Sequence, residues 1–234
     1  MSPQLTPRIN IAIDGPAGAG KSTVARMVAR DMQYIYVDTG AMYRTVTLKA
    51  MEAGLSADEA SRVTDLAESL DIRLLPGPEG QKVIADGEDV SSRIRSLEVN
   101  RQVSHFAKIE GVRNRMAELQ RRMAKEKGVV MDGRDIGTHV LPDAELKVFL
   151  TASPRERALR RFKELGDNPG VTLEQLEKDI AERDRIDQER EIAPLVRAAD
   201  ARLVDSTGRS AEQVAGEIVK WGQEITGTIS AEEK

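Results

Sequence analysis

The chain has 234 residues, 40% of them hydrophobic and 32% charged, which places it among globular proteins able to bury a core of their own. Its 35 basic and 39 acidic side chains leave a net charge of −4, against a general nucleic-acid coat, and the absence of cysteine excludes disulfide frameworks and thiolate metal sites. His105 and His139 are the only histidines, too few for a His-rich zinc site, and no apolar run reaches the ~18 residues of a membrane helix; residues 1–8 lack a signal-peptide core, so the sequence reads as a soluble cytoplasmic protein.

The stretch 9–23, INIAIDGPAGAGKST, predicts a buried strand, a glycine-rich turn and the start of a helix. Within it Gly15, Pro16, Ala17, Gly18, Ala19, Gly20, Lys21 and Ser22 satisfy the phosphate-binding pattern G-x-x-x-x-G-K-[ST], with Thr23 following. Glycines let successive backbone N–H groups turn toward phosphate oxygens, and the helix adds its positive dipole end. Lys21 is placed to reach the β and γ phosphates of a nucleoside triphosphate, and the Ser22 hydroxyl to ligate the Mg²⁺ that bridges them.

The pattern continues as a helix over 21–31, a strand over 34–37 ending in Asp38-Thr39-Gly40, and a helix over 41–53, the rhythm of a parallel α/β sheet. Residues 71–93 break it: short strands at 71–75, 82–85 and 88–91, a loop at 76–80 and the hairpin signal Asp86-Gly87 predict a small antiparallel insert. A helical stretch over 97–127 is expected to break near Gly111. Strands are predicted at 128–131, followed by Asp132-Gly133-Arg134-Asp135, and at 146–150 and 202–205. Charged helices over 154–165 and 172–191 are joined by residues 166–170, and a closing helix covers 211–225, with 226–234 expected to be loose.

A triphosphate site alone fits a GTPase, a motor, a regulator or a kinase, although no N-K-x-D guanine-reading motif is present. Ligands of parallel sheets bind at the carboxyl ends of the strands, where Arg44 and Arg134 with Asp135 fall. Two guanidiniums aimed at one crevice suit a phosphate. Arg183, Asp187 and Arg190 share one helix face at i, i+4 and i+7, and Arg157, Arg160 and Arg161 form a band on the preceding helix. Most charges over 154–191 read as a solvated, ion-paired surface, yet an arginine-rich helical hairpin also describes a lid over phosphates.

The set IDGPAGAGKST, VDTGAMYR, DGEDVSSRIR, VVMDGRDIGT, ERDRIDQEREIAPL and ADARLVDST, in this order over 9–225, resembles the bacterial cytidylate kinase family. The resemblance implies a single P-loop NTPase domain over 1–234, with a five-stranded parallel sheet flanked by helices. Its core would comprise 9–38, 128–153 and 200–225, its nucleotide-acceptor region 39–127 with the antiparallel insert at 71–93, and its helical lid 154–191. It further implies that Gly15 to Thr23 bind ATP with Mg²⁺, and that Arg44 and Arg134 hold the phosphate of CMP or dCMP. Ser104, Arg113 and Asp135 match the family's cytosine-reading positions, and Thr39, Arg183, Asp187 and Arg190 match residues around the acceptor ribose and the transferring phosphate. Arg157 matches a lid arginine, so Lys21, Arg157 and Arg183 are the expected catalytic cations. His105, Tyr43 and Trp221 are read as structural, the segment after Asp205 as the candidate adenine contact, and the protein as a monomer with no nucleic-acid or membrane partner.

The chemistry of cytosine suits these positions. An arginine can serve its N3 and O2 acceptors and a carboxylate its 4-amino donor, so Arg113 and Asp135 form a reading pair that would set a carboxylate against the uracil carbonyl. The acceptor phosphate is ionised near pH 7, so in-line transfer of a γ-phosphoryl needs no general base.

Overall fold

The run Ile9 to Asp14 alternates isoleucine with smaller residues, Asn10, Ala12 and Asp14, and this alternation divides the core. In the computed structural model, which describes residues 7–77, 80–165 and 172–232, β1 (Asn10–Asp14) is buried along its whole length at the centre of a five-stranded parallel sheet. The other strands are β2 (Ile35–Asp38), β6 (Val129–Gly133), β7 (Leu146–Thr151) and β8 (Arg202–Asp205), in the order β2-β6-β1-β7-β8. Successive side chains of a strand point to opposite faces. Ile9, Ile11 and Ile13 therefore enter one core with Val24 and Val28 of α1 (Lys21–Met32) and Val214 and Ile218 of α8 (Ala211–Glu232). Ala12 enters the other with Met42 and Val46 of α2 (Thr39–Glu52) and Val112 and Met116 of α5 (Glu110–Met123). The register sets Asp14 opposite Gly133 and Phe149, so the P-loop leaves the sheet beside the segment that follows β6.

The insert is a separate antiparallel sheet of β3 (Ile72–Gly77), β4 (Gly80–Ala85) and β5 (Glu88–Asp89). Its base, Ile72, Val83, Ala85 and Val90, packs into the core that contains α2. Asp86 and Gly87 take positive φ of 49° and 85°, the turn their dipeptide predicts. The loop expected over 76–80 is shorter: Pro76 pairs with Gln81 in the ladder, which an edge strand tolerates because the missing N–H faces outward.

One boundary is refined and another differs from the sequence reading. The helical stretch divides into α4 (Leu97–Ala107) and α5 at Lys108 and Ile109, near Gly111 as expected. Gly111 lies inside α5, where a Cβ would run into the Thr64 side chain of α3 (Ala60–Ser69), so its small size permits helix contact rather than ending a helix. The segment 226–234 is not loose throughout: α8 continues to Glu232 because Ile225 and Ile229 extend its apolar stripe against the sheet.

The helices α6 (Pro154–Leu165) and α7 (Leu173–Glu189), in the span expected to form a lid, pack on each other through Ala158, Leu176 and Ile180. The expected connection at 166–170 lies outside the described residues. Among the described residues no helix is long and apolar enough to cross a membrane.

Candidate active site

The turn between β1 and α1 depends on backbone conformations closed to most side chains. Gly15 has φ 149°, and a Cβ there would run into the Leu150 carbonyl oxygen of β7. Gly20, at φ 88°, is the N-cap of α1. Lys21 follows, buried, with Nζ donating to the Pro16 carbonyl at 2.7 Å. Burial and then the neighbouring Arg134 hold its pKa well below the ordinary lysine range, with Asp132 opposing them. The Ser22 hydroxyl donates to Asp132 Oδ2 at 2.8 Å and the Tyr36 hydroxyl to Oδ1 at 2.9 Å. Burial, followed by Asp38, raises the Asp132 carboxyl to about 6.

One cleft of about 770 Å³ runs from this loop to the carboxyl end of β6 and along α6 and α7. Arg44, on the second turn of α2, donates through Nε to Asn100 Oδ1 at 3.1 Å. Arg134 donates through Nε to Asp187 Oδ2 at 2.9 Å, and Ser104 Oγ donates to the other oxygen at 3.2 Å. Against burial, which raises it, Arg134, Arg183 and Arg190 keep the Asp187 pKa below the usual carboxylate range. Arg183 is lowered to about 9 by burial, then by Arg134 and Arg44. After burial, Arg134 is among the cations that depress Lys21, Arg44 and Arg183 alike. This half of the cleft therefore carries positive charge that its own carboxylates do not balance, and an anion placed there relieves the mutual repulsion.

Deeper in the same cleft Arg113 is fully buried and ion-paired with Asp135. Arg113 also donates to the Ala107 carbonyl at 3.1 Å and lies 5.5 Å from the centre of the Tyr43 ring. Arg190, which caps α7 rather than lying within it, approaches the second Asp135 oxygen at 3.4 Å and donates to the Ala193 carbonyl at 2.7 Å. Asp14 ties this turn to the P-loop, its two oxygens accepting from the Ile136 and Gly137 amides at 2.8 and 2.7 Å. Residues 136–140 form a π turn that no local pattern announced.

The cleft thus brings together Gly18 to Thr23, Thr39, Arg44, Ser104, Arg113, Arg134, Asp135, Arg183, Asp187 and Arg190, residues separated by up to 172 positions. Thr39 lines the cleft with its hydroxyl already donating to the Asp132 backbone carbonyl at 2.6 Å. Gly15, Pro16 and Arg157 are expected members that do not line it. Arg157, expected as a catalytic cation, lies behind the loop: its guanidinium donates to the Ala152 and Ala17 carbonyls at 3.1 and 2.9 Å and pairs with Asp184 at 2.5 Å. With those acceptors engaged, Arg157 braces the P-loop and is not among the residues lining the cleft. Asp184 completes the brace by accepting the Ala17 N–H at 3.1 Å. Arg160 lines the cleft instead, held by Ser206 and by the Ala19 carbonyl. Ser206, Arg209, Ser210, Ala211 and Val214 line it as well, which sets the segment after Asp205 beside the P-loop helix.

Asp132, Asn100 and Asp184 are site or support residues that sequence reasoning passed over, while Tyr43 and His105, read there as structural, line the cleft. Asp132 carries a signal in retrospect, a carboxylate ending the buried run Val129 to Met131; Asn100 and Asp184 carry none, since their partners lie on different elements.

The fold and the family were compared with known proteins. A gluconokinase from Sinorhizobium meliloti matches over 97% of this chain and 98% of its own with a TM-score of 0.50 at 14% identity, a likeness of fold alone. Cytidylate kinases from Limosilactobacillus fermentum and Bacillus velezensis are 52% and 50% identical over 90% and 91% of this chain, covering 93% and 96% of their own. The family model described as cytidylate kinase matches residues 11–224. With a P-loop, an arginine-rich cleft and the antiparallel insert in one fold, the chain belongs to the cytidylate kinase family.

Proposed function

We propose that this protein transfers the γ-phosphoryl group of MgATP to CMP or dCMP, giving ADP and the cytidine diphosphate. The observation that carries the reading is the shared cleft of Lys21, Arg44, Arg134 and Arg183, with the Arg113 and Asp135 pair at its deeper end. The P-loop amides and Lys21 bind the donor phosphates, and Arg44 and Arg134 bind the acceptor phosphate. Arg183, between the two, stabilises charge on the transferring group. Arg113 and Asp135 read the cytosine edge, while Ser104, Asp187 and Arg190 hold the acceptor nucleoside and the reading pair in place. Because the acceptor oxygen is already ionised, positioning and cationic stabilisation carry the reaction.

The hydroxyl of Ser22 and the carboxylate of Asp132, 2.8 Å apart at the loop, are hard oxygen donors suited to Mg²⁺. Among the described residues no group of three acidic, histidine or cysteine side chains forms a protein cage for a metal. One hydroxyl and one carboxylate suit an ion that arrives with its nucleotide and keeps phosphate and water ligands. When bound, Mg²⁺ supplies charge neutralisation across the β and γ phosphates.

The test is ADP production from MgATP with CMP, dCMP, UMP, AMP, GMP or shikimate as acceptor, against no acceptor. Turnover largely confined to CMP and dCMP is expected. Preferential use of another acceptor would keep the P-loop chemistry and overturn the roles of Ser104, Arg113 and Asp135; background hydrolysis alone would remove the kinase reading.

A further inference from the structure

The guanidiniums of the cleft are not all oriented by the same kind of partner, and the difference concerns charge. Arg134 and Arg113 are held by carboxylates, Asp187 and Asp135. Arg44 is held by a neutral amide: its Nε donates to Asn100 Oδ1 at 3.1 Å, while its Nη1 lies against Gly40, where a Cβ would stand 2.9 Å away. The orientation of Asn100 is fixed independently. Its Nδ2 donates to the Arg95 carbonyl at 3.0 Å and the Ser96 carbonyl at 2.9 Å, so the amide oxygen is the atom that faces Arg44. The nearby Asp38 carboxylate accepts the Ala41 amide at 2.8 Å and approaches Arg95 at 3.8 Å. Asn100 itself lines the cleft; after burial the largest influence on Arg44 is the nearby Asp38 carboxylate, which favours its charge, against Arg134 and Arg95, which oppose it.

We propose that Asn100 is a positioning residue that fixes the Arg44 guanidinium for the acceptor phosphate through a neutral acceptor that adds no negative charge of its own. The inference rests on the acceptor reading given above. A carboxylate would make a stronger bond to Nε but would neutralise the cation that a dianionic phosphate needs. It would also set an oxygen against the Arg95 and Ser96 carbonyls. The amide supplies the acceptor for Arg44 and the two donors for the start of α4 without either penalty.

Initial rates with CMP and MgATP varied separately test this in wild type, Asn100→Ala, Asn100→Asp, Arg44→Ala and the double variant Arg44→Ala/Asn100→Ala. Asn100→Ala is expected to raise KM for CMP about fivefold, the loss of one orienting hydrogen bond, with KM for ATP changed less than about twofold. Asn100→Asp, nearly identical in shape, is expected to raise KM for CMP about twentyfold. In the Arg44→Ala background, Asn100→Ala should add nothing, because the residue acts through Arg44. Thermal melts of each variant accompany the kinetics; if Asn100→Asp fails to fold, the cycle built on Asn100→Ala decides. Unchanged KM for CMP in the folded Asn100 variants, or an Asn100→Ala effect that persists in full without Arg44, would overturn the proposal while leaving the acceptor reading intact. Wild-type protein inert toward CMP would overturn both.

Discussion

The Ser22 hydroxyl and the Asp132 carboxylate meet at 2.8 Å although 110 residues separate them, because β1 and β6 are neighbours and the glycine-rich loop over 15–20 leads from the end of β1 into α1. If the pair helps hold Mg²⁺ on the donor phosphates, Asp132→Asn should raise the Mg²⁺ concentration for half-maximal activity by about tenfold or more. Titration of activity with Mg²⁺ at saturating ATP and CMP measures it. An unchanged Mg²⁺ dependence removes Asp132 from this role.

Asp135 is clasped by Arg113 and Arg190, so truncation to alanine would strip two buried guanidiniums of a partner. Asp135→Asn keeps the shape and replaces an acceptor oxygen with a donor amide, which suits the uracil carbonyl better than the cytosine amine. The ratio of kcat/KM for CMP to that for UMP is expected to fall by about tenfold to a hundredfold. A constant ratio would mean that Asp135 does not read the base.

The Arg157 and Asp184 pair joins α6 and α7 to both polar groups of the Ala17 peptide, with only 5% and 8% of the two residues exposed. Removing one partner of such a pair leaves the other buried and uncompensated, a cost of about 3–5 kcal/mol. Urea unfolding of Asp184→Ala should show a loss of this size. A change below about 1 kcal/mol would identify the pair as a surface-type bridge of small effect.

Asp14 supplies a pH signature. Burial, against the lowering effect of the Gly137 and Ile136 amides, raises its carboxyl from 3.8 to about 6. A folded value above the unfolded one means that the stability this group contributes is full below about pH 3.8 and is lost as pH rises through about 6. The difference amounts to about 3 kcal/mol. Asp14→Asn cannot titrate, so between pH 4 and pH 7.5 wild type should lose about 2–2.5 kcal/mol relative to the variant in urea unfolding. Parallel curves for the two proteins would show that Asp14 does not titrate in this range.

Local sequence determined what depends on neighbours in the chain. The P-loop follows from glycine spacing, since positive φ at Gly18 and Gly20 and the close approach of Gly15 to β7 admit little else. The five parallel strands follow from short apolar runs between helices, and the insert from Asp86-Gly87. The resemblance carried by whole motifs extended that reading to the acceptor nucleotide, which spacing alone left open between kinases and switches. Tertiary structure decided where side chains on different elements meet. Arg157 and Arg160 look alike on one helix, yet packing of α6 against Ala17 buries the first behind the loop and leaves the second on the cleft. Asn100 acquires its place from the approach of α4 to α2, Gly111 its need to be small from α3, and the last turns of α8 their order from apolar contacts with the sheet. None of these has a local pattern, because the energy that selects each conformation comes from a partner distant in sequence.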